Sequence, residues 1–185
     1  MTFLGGGRKP PTPAEIPIVN RAHMDALLAI SHELAPSKVK WAVIGDLEEA
    51  LRGVNVTPKE ITILTDAASI GEIRERMAGY DPSPVALKER RLARDAEVQG
   101  ARYPVFLRSH SFGVGILGQR VTFDGDAQIK VGGWEWGDVL TFEPEYVYLV
   151  GTKVPIIPLR LLGDMYFQLG WLDKAQKVTE RLIDR

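Results

Sequence analysis

Lys38-Val39-Lys40-Trp41-Ala42-Val43-Ile44-Gly45-Asp46 is an apolar run that stops at a glycine. It continues through Leu47-Glu48-Glu49-Ala50-Leu51-Arg52-Gly53, a short helical pattern, and after a turn reaches a second apolar run, Glu60-Ile61-Thr62-Ile63-Leu64-Thr65-Asp66. That order reads as strand, helix and strand built around one tight corner. Such corners set a helix N-terminus beside the end of a strand, where anions and metal-bound phosphates are commonly held. Asp46 is placed to cap the short helix, a contribution of about 1 kcal/mol. In the second run Ile61 and Ile63 alternate with Glu60 and Thr62, as in a strand with one buried face, although Leu64 breaks the alternation.

Upstream of the corner, Asn20 can cap a helix whose Met24, Leu27, Leu28 and Leu34 share a face, and Pro36 marks its end. Residues 1 to 18 hold a triple glycine and Pro10, Pro11, Pro13 and Pro17, which predicts a flexible or extended arm ahead of one domain over residues 19 to 185. Downstream, Asp66 can cap a helix over 67 to 78 with Ile70, Ile73 and Met77 on its apolar stripe. Strand and helix alternating in this way predict an α/β arrangement.

Residues 83 to 100 read as a charged helix with Ser83 as cap and Pro84 in the first turn. On it Arg90, Arg91 and Arg94 would form one basic face suited to a phosphate or a nucleic-acid backbone; the simpler reading is a solvated face balanced by Glu89, Asp95 and Glu97. From Tyr103 to Gly137, β-rich segments separated by Gly113, Gly118, Gly125 and Gly132-Gly133 predict three or four short antiparallel strands. Trp134 and Trp136 would share a strand face there, either stacking on a base or covering the edge of a core. The tail turns at Val154-Pro155-Ile156-Ile157-Pro158 into two helices, one lined by Leu159, Leu162, Tyr166 and Leu169, the other by Leu172, Ala175, Val178 and Leu182, with Gly170 between them. The expected architecture is a mixed sheet flanked by helices and closed by a C-terminal helical hairpin.

The 185 residues suffice for one domain. A net charge of -1 gives no long-range attraction to nucleic acid or anionic membrane, so nucleic acid is not indicated as a partner. No stretch approaches the roughly eighteen apolar residues of a membrane span, and the N-terminus lacks the pattern of a signal peptide, so the expected location is cytoplasmic. With no cysteine, disulfides, thiolate nucleophiles and cysteine-held zinc are excluded. His23, His32 and His110 fall at no recognised ligand spacing, and no Walker loop or Gly-x-Ser-x-Gly is present.

The order of elements resembles the nucleotidyltransferase-fold superfamily, including its minimal and antitoxin-type members. The family signature is a hydrophobic residue, Gly, then Gly or Ser, then nine to thirteen residues, then two acidic residues flanking a hydrophobic one. Here Ile44-Gly45-Asp46 is followed by residues 47 to 59 and then Glu60-Ile61-Thr62-Ile63. Pro158-Leu159, Leu169-Gly170 and the later Lys174, Ala175 and Lys177 resemble the closing segment of the family.

The resemblance implies Gly45, Asp46 and Thr62 as nucleotide-binding positions, Glu60 as a catalytic carboxylate, and Asp124 or Asp126 as a further one, with Mg²⁺ held by Glu60, Asp46, Asp124 and Asp126 if the site is active. Two carboxylates at i and i+2 on a strand point the same way and can hold ions that neutralise a triphosphate. The sequence departs from that pattern. Asp46 stands where Gly or Ser lets phosphate approach, and Thr62 stands where the second carboxylate belongs. In the literal register the third carboxylate falls on Thr122, leaving Asp124 and Asp126 as ligands or as turn residues. The resulting expectation is a catalytically degenerate binding or interaction module, with a nucleotide or a protein as partner. The alternative is an active Mg²⁺-dependent enzyme that moves a nucleotidyl group from an NTP.

Overall fold

The computed structural model of the chain describes residues 19–54 and 56–183. The arm expected over residues 1 to 18 lies outside them. Helix α1 (Arg21–Leu34) starts where Asn20 Oδ1 accepts the His23 N–H at 2.8 Å, and it buries Ala26, Leu27, Ile30 and Leu34 along one face. A 14-residue helix is marginal alone in water, and each large aliphatic side chain buried on that face adds about 1.5–3 kcal/mol.

The corner then folds as strand β1 (Trp41–Ile44), helix α2 (Asp46–Leu51) and strand β2 (Ile61–Thr65). Helix α3 (Ile70–Arg76) follows; at its entry Asp66 Oδ1 accepts the Ser69 N–H at 2.7 Å. The later strands are β3 (Ala86–Arg91), β4 (Ala96–Val98), β5 (Ala101–Tyr103), β6 (Val105–Ile116), β7 (Gln119–Val131), β8 (Glu145–Leu149) and β9 (Thr152–Ile156). Helices α4 (Leu159–Gln168) and α5 (Leu172–Ile183) end the described chain.

Seven strands form one mixed sheet in the order β3-β6-β7-β2-β1-β9-β8, and β4 and β5 make a separate ribbon. β2 is antiparallel to β1 and parallel to β7, while β1 is parallel to β9. One sheet face, with Val43, Ile61, Ile63, Phe112 and Phe123, packs on α1 and α3. The other, with Ala42, Leu64 and Ala127, packs on α4 and α5. Leu64 interrupts the alternation of β2 because both sheet faces are covered at that point, which favours continuous apolar sequence. On the same face Lys88 and Arg90 of β3, Ser111 of β6 and Thr122 of β7 line an open polar strip.

Three expectations change. Residues 83 to 100 are not a helix: Ala86–Arg91 pairs in six-residue register with Phe106 to Ser111 of β6. Every residue of β3 is exposed, so no core face selects the helical period, and its charges suit an edge strand that must resist further pairing. The three or four short strands between Tyr103 and Gly137 are mainly one long hairpin, β6 and β7, joined at Leu117-Gly118; Gly113 and Gly125 run within its strands. The tryptophans sit beyond the end of β7, so they do not share a strand face. The chain turns at Gly132, and the Trp134 N–H donates to the Val131 carbonyl at 3.1 Å.

The C-terminal hairpin forms as expected. Pro158 precedes α4, Gly170 separates the helices at φ +71°, and the β4 segment clamps the break through a Glu97 N–H to Leu169 carbonyl bond of 2.9 Å. The Trp171 indole donates to the Asp95 carbonyl at 2.8 Å, and Arg94 pairs with Asp173. Among the described residues no helix is long and apolar enough to cross a membrane.

Candidate functional site

The signature positions converge through strand register. Ile44 of β1 is opposite Thr62 of β2, and Thr62 is opposite Thr122 of β7. These three residues therefore form a row across the sheet on its second face. Two neutral hydroxyl side chains occupy the centre of that row.

Glu60 lies just before β2, and Arg120 lies on the same side of the neighbouring strand, with its Nη1 3.9 Å from Glu60 Oε1. Both are mostly exposed, so this pair adds little stability. Further along β7, Asp124 is fully buried; Arg90 reaches it with two bonds of 3.2 and 3.0 Å, and the Ser109 hydroxyl donates to Oδ1 at 2.8 Å. Above this strip opens a cleft of about 1040 Å³ whose lining includes Glu60, Lys88, Arg90, Ser111, Arg120 and Thr122.

At the corner itself, Gly45 is the N-cap of α2 at φ +85°, a backbone state that glycine adopts without strain. Asp46 is the first helical residue and makes no capping bond, which corrects the expectation that it caps the helix. Its carboxylate accepts instead from Lys174 Nζ of α5 at 3.0 Å. Lys174 also lies 3.7 Å from the buried Glu49 and 4.9 Å from the Tyr166 ring centre. Burial pushes the Glu49 carboxyl up, while the Tyr166 hydroxyl and the Lys174 charge oppose that shift. Burial and the adjacent Glu49 in turn push the Tyr166 hydroxyl up.

Glu48 of the same helix is buried against Arg52. Burial pushes its carboxyl up to about 8 although Arg52 works in the opposite direction. Arg52 also joins α2 to Glu145 of β8 at 2.8 Å and to the Ile157 carbonyl at 2.8 Å.

The four carboxylates that the family resemblance offered to Mg²⁺ are not brought together. Glu60 pairs with Arg120, Asp46 with Lys174 and Asp124 with Arg90, whereas Asp126 Oδ1 accepts the Ala67 N–H at 2.9 Å. Because Leu64 is opposite Asp124, Glu60 and Asp124 stand four residues apart along the strands, roughly 13 Å at about 3.3 Å per residue. Mg²⁺ binds oxygen at about 2.0–2.1 Å, so these two side chains cannot share an ion in this arrangement. Among the described residues no three carboxylate or imidazole side chains cluster as a metal site. In this arrangement the described carboxylates offer Mg²⁺ no shared site.

The basic face drawn on a helix also dissolves: Arg90 turns to Asp124, Arg91 to Asp95 and Arg94 to Asp173. Sequence reading missed Arg90 and Ser109 as the partners of Asp124, and Lys174 as the partner of Asp46. Neither pairing leaves a local mark: Arg90 reaches Asp124 across β6, and Lys174 reaches Asp46 from a helix far along the chain.

The fold is similar to that of a candidate nucleotidyltransferase from Thermotoga maritima (TM1012), with TM-score 0.63 and 26% identity over 90% of this chain and 96% of the other. ANT(2″)-Ia, in complex with adenylyl-2″-tobramycin, aligns more distantly, at TM-score 0.44 and 9% identity over 86% of this chain and 87% of that one. No protein-family model and no curated protein matches the sequence. The corner at Gly45, the mixed sheet around it, the closing helical hairpin and the likeness to TM1012 together place the chain in the nucleotidyltransferase-fold superfamily.

Proposed function

We propose that this chain is a catalytically degenerate nucleotidyltransferase-fold protein of the cytoplasm that works as a binding or interaction module. The observation that carries this reading is the pair Thr62 and Thr122, side by side where a transfer site needs carboxylates. A hydroxyl is a weak neutral ligand and cannot offset the charge of two Mg²⁺ ions and a triphosphate. Asp124 supports the same reading, since its carboxylate is already taken by Arg90 and Ser109.

The cleft beside these residues keeps the size and polar lining of a ligand site, with Lys88 and Arg120 exposed in it. Its chemistry suits recognition through hydrogen bonds and fixed cations. Calorimetry with each NTP, with and without Mg²⁺, tests the proposal: any binding is expected to be independent of Mg²⁺. Tight Mg²⁺-dependent binding, together with a transfer activity that Glu60→Ala abolishes, would overturn it.

A further inference from the structure

Beyond Asp126 the outer half of β7 leaves its neighbour β2, and the segment 137–141 takes the vacated edge. The Gly137 N–H donates to the Ile129 carbonyl at 2.9 Å, the Leu140 N–H to the Ala127 carbonyl at 2.8 Å, and Gln128 Nε2 to the Gly137 carbonyl at 2.9 Å. Between this segment, β7 and α4 lies a cavity of about 470 Å³, within the usual range for small-molecule pockets. It sits at the other end of β7 from Thr122 and shares no lining residue with the cleft near Glu60.

The walls are aliphatic, with Ile129 from the strand and Leu161 and Met165 from the helix, and Trp134 adds an indole that is 53% exposed. Two carboxylates, Asp138 and Asp164, complete the lining, and no lysine or arginine contributes to it. Neither carboxylate enters an ion pair with a described residue. The neighbouring tryptophan provides the contrast. Trp136 carries the protein's own cations, Arg108 4.4 Å and Lys130 4.9 Å from its ring centre. Trp134 touches the Tyr103 ring at 5.5 Å, and among the described residues no cation lies over it.

Two carboxylates without an ion pair and an indole without a cation among the described residues, together with aliphatic walls, define the complement by elimination. A phosphorylated or carboxylate ligand would meet two like charges without a counter-charge. A divalent metal would gain two carboxylates at most and would lie against hydrocarbon, far from the six to eight oxygens that Ca²⁺ takes or the octahedron that Mg²⁺ requires. A cation borne on a hydrocarbon or aromatic body satisfies every wall: the body buries against Leu161 and Met165, and the ammonium faces the carboxylates and the indole. We infer that this cavity binds a small organic cation, an ammonium with an apolar substituent.

Isothermal titration of the full chain with benzyltrimethylammonium, benzyl alcohol and benzenesulfonate separates the terms of that inference. Saturable one-site binding of the ammonium is expected, at least tenfold tighter than the alcohol, with no binding of the sulfonate. Asp138→Asn combined with Asp164→Asn is expected to weaken the ammonium at least tenfold, and Trp134→Leu at least fivefold. All three positions are solvent-exposed, so the variants are expected to melt with the wild type. Absence of ammonium binding at millimolar concentration, equal affinity for the neutral alcohol, or wild-type affinity in the double variant would each overturn the assignment. The comparison of the three probes needs no variant and decides the question alone if a substitution unfolds the protein.

Discussion

Arg90 crosses a strand to meet Asp124, setting its two terminal nitrogens 3.2 and 3.0 Å from the two oxygens of a carboxylate that has no solvent exposure. A buried charge with its counter-ion removed is costly, and only the Ser109 hydroxyl would remain to solvate it. Arg90→Ala is therefore expected to destabilise the fold by about 2–3 kcal/mol, below the full range for buried pairs because Arg90 is itself partly exposed. Adding Asp124→Asn removes the stranded charge and should restore at least about 1 kcal/mol of that loss. Urea denaturation of the two variants checks both numbers, and a stability unchanged by Arg90→Ala would refute the role given to the pair.

Glu48 makes stability depend on pH in a stated direction. Folding raises its carboxyl from the ordinary 4.5 up to about 8. The folded chain thus holds this proton more tightly than the unfolded chain, so the contribution is full below about pH 4.5 and is lost as pH rises through about 8. Glu48→Gln stays neutral throughout, and it should flatten the decline in stability across that window. Urea midpoints measured at several pH values in both proteins test this; parallel curves would mean that Glu48 titrates as an ordinary carboxyl.

Two glycines give opposite expectations for the same substitution. A Cβ on Gly170 would fall 1.8 Å from the Glu97 carbonyl oxygen, at a residue with φ +71°. Gly170→Ala must part the β4 segment from the α4–α5 turn, at a cost above about 1 kcal/mol. Gly71, within α3, has nothing within 4 Å of the added carbon. There Gly71→Ala should stabilise by about 0.5–1 kcal/mol through helix propensity. In thermal melts, Gly170→Ala unfolding at or above the wild-type temperature would contradict the packing described at Gly170, and Gly71→Ala unfolding below it would contradict the open space at Gly71.

The legible parts of this fold are those whose determinants lie close together in sequence. Ile44-Gly45 and Ile61 to Leu64 announce the corner because apolar runs and a glycine are local signals, and Pro158 and Gly170 announce the hairpin for the same reason. β3 escaped because all six of its residues face solvent and no apolar period remains to distinguish strand from helix. Asp46 was misread as a cap because Gly45 already supplies the capping backbone, and its true partner lies on α5. Thr62 at the second acidic position of the signature was readable from spacing. That Thr122 stands directly opposite it emerged only from the pairing of β2 with β7.

The Lys174 strut has a further consequence for the order in which the protein can be made. Its bond to Asp46 spans 128 residues, and Arg181 of the same helix donates to the Gly53 carbonyl across an equal span. Contacts of such separation close late, because the intervening chain must be ordered first. During synthesis the corner emerges early but lacks both partners until α5 has left the ribosome, so α2, with two buried carboxyls, docks fully only after the helical hairpin has been made.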